Sequence, residues 1–326
     1  MEMLNPNDLH KKAEFALNRG REPKKVILYY ALITTALSVA ATALNIWMDS
    51  LIAGQGGLGN MNTRAVFSSV QAILPMALTL VSLCLNLGYQ NAMMRIARRQ
   101  YADQTDLKVG FRYFWPLMRM LLLQVMLYSI ICLLMYQLVF TLYSFTPWAE
   151  PLISLLVPYL ENPSLIMTEA VANEAFRLLI PCLILYAAAC AVVVIPMAYR
   201  LRMANYCLLD NSGRGALAAM LESRKIMKGK CKKLFRVDLS LWPYYLLVTV
   251  STVVLYLDGI LVSIGVQLPV SWDVVTYGCY GGYLLIQFVT AYYLRNFAEV
   301  TYLTAYDRIR EKPEDNGVVL GNIFDM

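Results

Sequence analysis

The sequence predicts an all-α integral membrane bundle of six transmembrane helices with both termini on the cytoplasmic side. Three observations predict it. Six intervals free of Asp, Glu, Lys and Arg, at 26–48, 65–94, 120–149, 178–199, 239–257 and 274–294, run for 19 to 30 residues, and no other such interval exceeds 14. A helix needs about 20 mainly apolar residues to cross the hydrocarbon core of a bilayer. The seven charged segments around them hold 6, 1, 6, 1, 10, 0 and 4 Lys or Arg in order, so 26 of the 28 cations lie in alternate segments. Cations flanking spans are retained on the cytoplasmic side. Finally, the chain is 59% hydrophobic and only 15% charged, against about 25% charged in soluble domains.

The N-terminal arm comes first. Residues 7–25 read as a short amphipathic cytoplasmic helix opened by Asn5-Pro6-Asn7-Asp8, a start signal of capping residue and proline. These first 25 residues mix six cations with four acids and lack an apolar core, so no cleavable signal peptide is expected. Span 1 then acts as an uncleaved anchor. It carries nine Leu, Ile or Val from Val26 to Ile46, each contributing about −0.3 to −0.6 kcal/mol at mid-membrane and together outweighing its scattered Thr, Ser and Asn.

The remaining elements follow the charge-free intervals. Spans are predicted at about 26–48, 68–94, 114–145, 178–199, 239–258 and 274–294, within a single membrane domain of residues 1–312, and a flexible cytoplasmic tail occupies 313–326. The link Gly54-Gln55-Gly56-Gly57-Leu58-Gly59-Asn60 is an external loop. Its glycines match the letters of a dinucleotide fingerprint without the strand before and helix after that the chemistry needs. In the outer segment 144–177, the apolar stretch Leu152–Leu160 is too short to span and is expected in the headgroup layer. Ser212–Lys230 reads as an inner helix with Leu217, Met220, Leu221 and Met227 on one side and Arg224, Lys225 and Lys228 on the other. Spans 3 and 5 both open on Trp-Pro, at 115–116 and 242–243, as an internal repeat or a coincidence would give.

Candidate functional residues are few. Seven cysteines without a CxxC, none in an external segment, exclude a disulfide framework and read as small packing residues. The single histidine, His10, leaves no histidine-based metal site and no Ser-His-Asp arrangement. No cofactor is expected. Arg224, Lys225, Lys228, Lys230, Lys232, Lys233 and Arg236 gather before span 5; they fix topology and are candidate contacts for anionic lipid headgroups. The net charge of +6 sits at span ends, facing lipid rather than nucleic acid. Arg119, Asp238, Arg295 and Glu299 at span edges are candidates for a polar path or for pairing within the molecule, Arg295 and Glu299 standing four apart on one helix. Asn86, Gln124, Gln137 and Gln287 bond between helices or line such a path. Gly278 and Gly282 fit the small-xxx-small pattern of close helix packing, within the chain or in self-association.

Several stretches resemble a family of uncharacterised bacterial polytopic membrane proteins, the domain-of-unknown-function family 975. They are Lys11-Lys12-Ala13-Glu14-Phe15-Ala16-Leu17, Ile96-Ala97-Arg98 with Gly110-Phe111, Tyr206-Cys207-Leu208-Leu209-Asp210, Ser223 to Lys230, Leu234-Phe235 and Leu239-Ser240-Leu241-Trp242. Ile195-Pro196-Met197 stands where that family often has Ile-Pro-Gly. The resemblance implies several membrane helices and no established activity.

The resulting expectation is a multi-pass protein of the bacterial plasma membrane. It is non-enzymatic and organises lipid or a partner protein. The alternative is a permease-like subunit or small-solute transporter. A membrane enzyme acting on lipid is the third reading, and no acid/base or metal constellation in one plane supports it.

Overall fold

A computed structural model describes residues 4–18, 22–54, 61–162, 168–211, 215–264 and 271–310. The glycine-rich link 55–60 and the tail 313–326 lie outside the described residues. Among the described residues there is no strand. In order the helices are α1 (Pro6–Leu17), α2 (Glu22–Gly54), α3 (Met61–Ala97), a short 3-10 turn (Gln104–Lys108), α4 (Val109–Arg112), α5 (Phe114–Ser144), α6 (Ala149–Glu161) and α7 (Glu169–Leu201). Then come α8 (Ala204–Asp210), α9 (Ala216–Ile226), α10 (Cys231–Ser240), α11 (Trp242–Leu255), α12 (Leu257–Ser263), α13 (Trp272–Val289), a π turn (Thr290–Leu294) and α14 (Arg295–Arg310).

Five helical stretches are long and apolar enough to cross a membrane: Pro23–Leu44, Ile73–Ala97, Phe114–Ser144, Glu169–Asp210 and Val274–Arg310. A sixth arises if the bent pair Cys231–Ser240 and Trp242–Leu255 counts as one span. The chain is therefore a multi-pass membrane protein. The fifth span differs most from its expected form. A 69° bend separates α10 from α11, so the apolar run opens at Trp242 with Pro243 in its first turn. Proline lacks the N–H that a continuing helix would use, which makes a helix start the place it costs least.

The described chain falls into two compact units. The first takes in residues 1–117, 205–213 and 232–326; the second takes in 118–204 and 214–231. In the first, α1 ends at Asn18 instead of running into span 1, with Asn5 capping it through a 3.1 Å bond from the Asn7 N–H. Its buried face, Leu9, Ala13 and Ala16, packs on α14 and α3. The core sits at this α1 end. Val26, Ile27, Tyr30 and Ala31 of α2, Cys84 to Met94 of α3 and Ala298 to Ile309 of α14 supply most of its buried side chains. Toward the far ends of the same helices the side chains open out, as at Val39, Ile73 and Met76. Two glycines allow the closest approach. A Cβ on Gly110 would lie 1.8 Å from the Cys84 carbonyl oxygen, and one on Gly88 2.0 Å from that of Leu107. Small-residue contact thus occurs here, while a Cβ on Gly278 would meet no other element within 4 Å and one on Gly282 only Val254 Cγ1, at 3.3 Å.

The second unit contains most of α5, with α6, α7 and α9. The stretch Leu152–Leu160 lies inside α6, which packs on α7 around Tyr143, Ala149, Leu152 and Ala175. Tyr143 donates its hydroxyl to the Leu178 carbonyl at 2.9 Å. Ser223 of α9 donates to the Arg200 carbonyl at 2.8 Å, tying α9 to the end of α7. On α9, Met220 is buried as expected. Leu217 and Leu221 are instead exposed, beside Arg224 and Lys225. All seven thiols are free.

Candidate functional site

Within the first unit, α2, α3, α11 and α13 with its π turn each direct a polar stripe into one cavity of about 430 Å³. Helical residues three and four apart lie above one another, so each stripe is a single face. Tyr30, Thr34 and Ser38 come from α2; Thr79, Ser82 and Asn86 from α3; Tyr244, Ser251 and Thr252 from α11; Tyr283, Gln287 and Thr290 from the last span. Several hydroxyls return their proton to the preceding turn, as Thr34 does to Tyr30 at 2.9 Å and Ser38 to Thr34 at 3.0 Å. That bond satisfies the donor and leaves oxygen lone pairs facing the cavity.

Arg295 closes the cavity at the α1 end. Its Nη2 donates to Asn86 Oδ1 at 2.8 Å. The guanidinium lies 5.0 Å from the Tyr30 ring centroid and 5.6 Å from that of Tyr89, within range of cation–π attraction. The two rings are stacked on each other with centroids 4.1 Å apart, and Tyr89 donates to Asn296 Oδ1 at 2.5 Å. The π turn sets this geometry. The Arg295 N–H reaches back five residues to the Thr290 carbonyl, and the wider turn keeps Arg295 on the cavity face below Thr290. Such turns often mark functional positions in helices. Among the described residues, Gln287 Oε1 and Thr290 Oγ1 find no hydrogen-bond partner in the protein.

Beneath Arg295 a polar network runs through the packed end. Glu299 accepts the Tyr206 hydroxyl at 2.7 Å. Arg98 bonds Asp210 at 2.7 Å and Asp307 at 2.6 Å. Asp210 also pairs with Arg310 and accepts from Tyr306 at 3.2 Å. Asp238 accepts from Tyr302 at 2.5 Å, whose oxygen stands 2.6 Å from that of Tyr245.

The expected site residues therefore part company. Arg295, Glu299 and Asp238 belong to the first unit, where Arg295 turns to Asn86 and Glu299 to Tyr206. Arg119 is exposed on α5 in the second unit. Arg224, Lys225, Lys228 and Lys230 lie in the second unit, and Lys232 and Lys233 in the first. On α10, Leu234, Val237 and Asp238 are buried, while Lys232, Lys233, Phe235, Arg236 and Leu239 share the exposed arc. Near α1, a groove of about 340 Å³ is lined by Lys11, Lys12, Phe15, Arg99, Asp307 and Arg308 among others. Arg99 takes a left-handed backbone, φ 62°, closing α3 with a bond from the Gln100 N–H to the Arg95 carbonyl at 2.8 Å.

Sequence reasoning named Asn86, Gln287 and Arg295 but missed the cavity. Its signal was the four-residue spacing of Tyr30, Thr34 and Ser38 inside an apolar span. No group of three or more His, Cys, Asp or Glu among the described residues could hold a metal ion. Residues 3–312 match the family described as "Protein of unknown function (DUF975)", and the chain belongs to that family. No curated protein and no solved structure matches it.

Proposed function

Starting from membership in that family, we propose that this chain binds a small polar solute in the cavity between α2, α3, α11 and α13, as a permease-like subunit or small-solute transporter. In this reading it acts by binding and movement rather than by catalysis. The convergence of four polar stripes on one cavity of about 430 Å³ carries the reading. Ligand sites are concave, within about 300–1,000 Å³, with a few placed polar groups. Hydroxyls that merely satisfied their own helices would have no reason to face one another. In lipid, polar side chains and charges gather where they line a path or a site. Protein reconstituted in vesicles should accumulate a polar solute under an imposed ion gradient, and replacing Ser38 and Ser251 by Leu should abolish it. Failure of the wild-type vesicles to move any of a broad panel of solutes would reject the reading.

A second reading draws on different residues. The exposed arc of α10 mixes Lys232, Lys233 and Arg236 with Phe235 and Leu239, the composition of a helix lying at a membrane interface. We infer that this arc gathers anionic lipid at the cytoplasmic face of the plasma membrane. Neutralising Lys232, Lys233 and Arg236 should reduce the anionic lipid that remains attached through gentle extraction, read by mass spectrometry. Unchanged lipid retention would remove this reading.

A further inference from the structure

We propose that the ligand of this cavity carries an oxyanion, a carboxylate or phosphate group, seated on Arg295 and Asn86. The inference rests on the cavity reading above and names its substrate class. Of the sixteen residues lining the cavity, Arg295 alone is charged. No carboxylate among the described residues comes within ion-pair distance of it. The acid one turn further along α14, Glu299, takes the Tyr206 hydroxyl at 2.7 Å and also acts on Arg295 through its charge. Arg295 stands at the edge of the last span, half-buried between helices, and charged groups so placed turn to a cavity, a partner or an ion path.

The site is also built to hold that charge in one place. Asn86 accepts from Nη2 at 2.8 Å, and the stacked rings of Tyr30 and Tyr89 support the guanidinium plane. Arginine carries five N–H donors in a rigid fork that matches two oxygens of a carboxylate or phosphate. One donor is engaged by Asn86, and the Asn86 amide nitrogen adds another at the same point. The Thr290 hydroxyl, whose oxygen has no partner among the described residues, can turn its proton toward the same group. A cation would be repelled here. A neutral solute would answer the remaining guanidinium donors less fully than an oxyanion would. The oxyanion comes either with a soluble solute or with a lipid head, since both present the same oxygens.

Thermal unfolding of the whole protein in nanodiscs tests the proposal. In discs of digalactosyldiacylglycerol, whose head carries no phosphate, succinate, glutamate and inorganic phosphate are titrated against choline as a cation and glucose as a neutral probe. The anions should raise the melting temperature in a saturable way. Arg295→Gln should weaken that response on the order of tenfold or more. Asn86→Asp places a carboxylate against the guanidinium; this variant should fold, melt higher than the wild type and lose the anion response. Discs containing phosphatidylglycerol separate the sources: stabilisation there without soluble anion assigns the oxyanion to a lipid head. Equal anion responses in the wild type and Asn86→Asp would overturn the proposal. Saturable binding of glucose or choline without the anions would overturn it and leave the cavity reading standing. No response to any probe would overturn both.

Discussion

At Gly88 and Gly110 two segments of the first unit touch backbone to backbone, and neither position has room for one more carbon. A Cβ on Gly110 would stand 1.8 Å from a carbonyl oxygen that belongs to the rigid α3 ladder, so the helices themselves would have to part. Gly110→Ala should therefore cost about 1–3 kcal/mol, as overpacking does, lowering the melting temperature in detergent. Gly278→Ala, with open space around it, should leave the melting temperature unchanged. The residue pattern pointed to Gly278 and Gly282, which meet no other backbone closely within the described chain, because spacing reports which glycines share a helix face and not what that face meets. His10 offers a second test. Its ring lies 4.9 Å from Phe297 and 3.0 Å from Ser240 Oγ. That hydroxyl gives its proton to the Val237 carbonyl, so the ring nitrogen donates. Burial lowers the His10 pKa below its ordinary 6.5. The unfolded chain then takes up the proton first, so stability is unaffected above about pH 6.5 and falls as the pH drops through that value and below. Melting temperature followed from pH 7.5 to 5 should show this slope, and His10→Gln should flatten it.

Among the elements, α8 is the small one on which others depend. It carries Tyr206 to Glu299 and Asp210 to Arg98, Arg310 and Tyr306, joining the end of α3 to α14. Asp210→Ala would leave two cations without their shared acid at a half-buried place. The expected cost is about 2 kcal/mol, in the range for an unsatisfied charged group, and equilibrium melting checks it. An equal melting temperature would show the network to be ornamental. The residues at 96–98 and 206–210 carried the family resemblance, and both stretches enter this network. Their pairing was not legible in the sequence, because the partners are 112 positions apart and cations at span ends already had a sufficient reason to be there. The bend between α10 and α11 was half visible. An inner helix before span 5 was expected over Ser212–Lys230, whereas the helix that meets the bend is α10, Cys231–Ser240. The 69° angle comes from packing that no local pattern encodes.

For the molecule as a whole, the charge-free intervals made the spans legible, since a single central charge would cancel most of a span's insertion energy. The cavity was not legible, because its lining comes from four helices whose polar residues are each outnumbered by apolar neighbours. From the cation distribution we propose cytoplasmic termini, and this orientation is open to a direct check. A reporter active only outside the cytoplasm should respond when fused after Asn60, Glu161 or Gln267, and silence at all three would reverse the assignment. The central claim is that a polar cavity enters the membrane-spanning bundle, and cysteine labelling tests it most directly. With all seven native cysteines replaced, single cysteines at Ser38, Ser82 and Ser251 in the cavity and at Leu133 on the exposed apolar face of α5 are treated with a membrane-impermeant, water-dependent thiol reagent. The account predicts that the three cavity cysteines react and that Leu133→Cys does not. Cavity cysteines as silent as the one on α5 would contradict it.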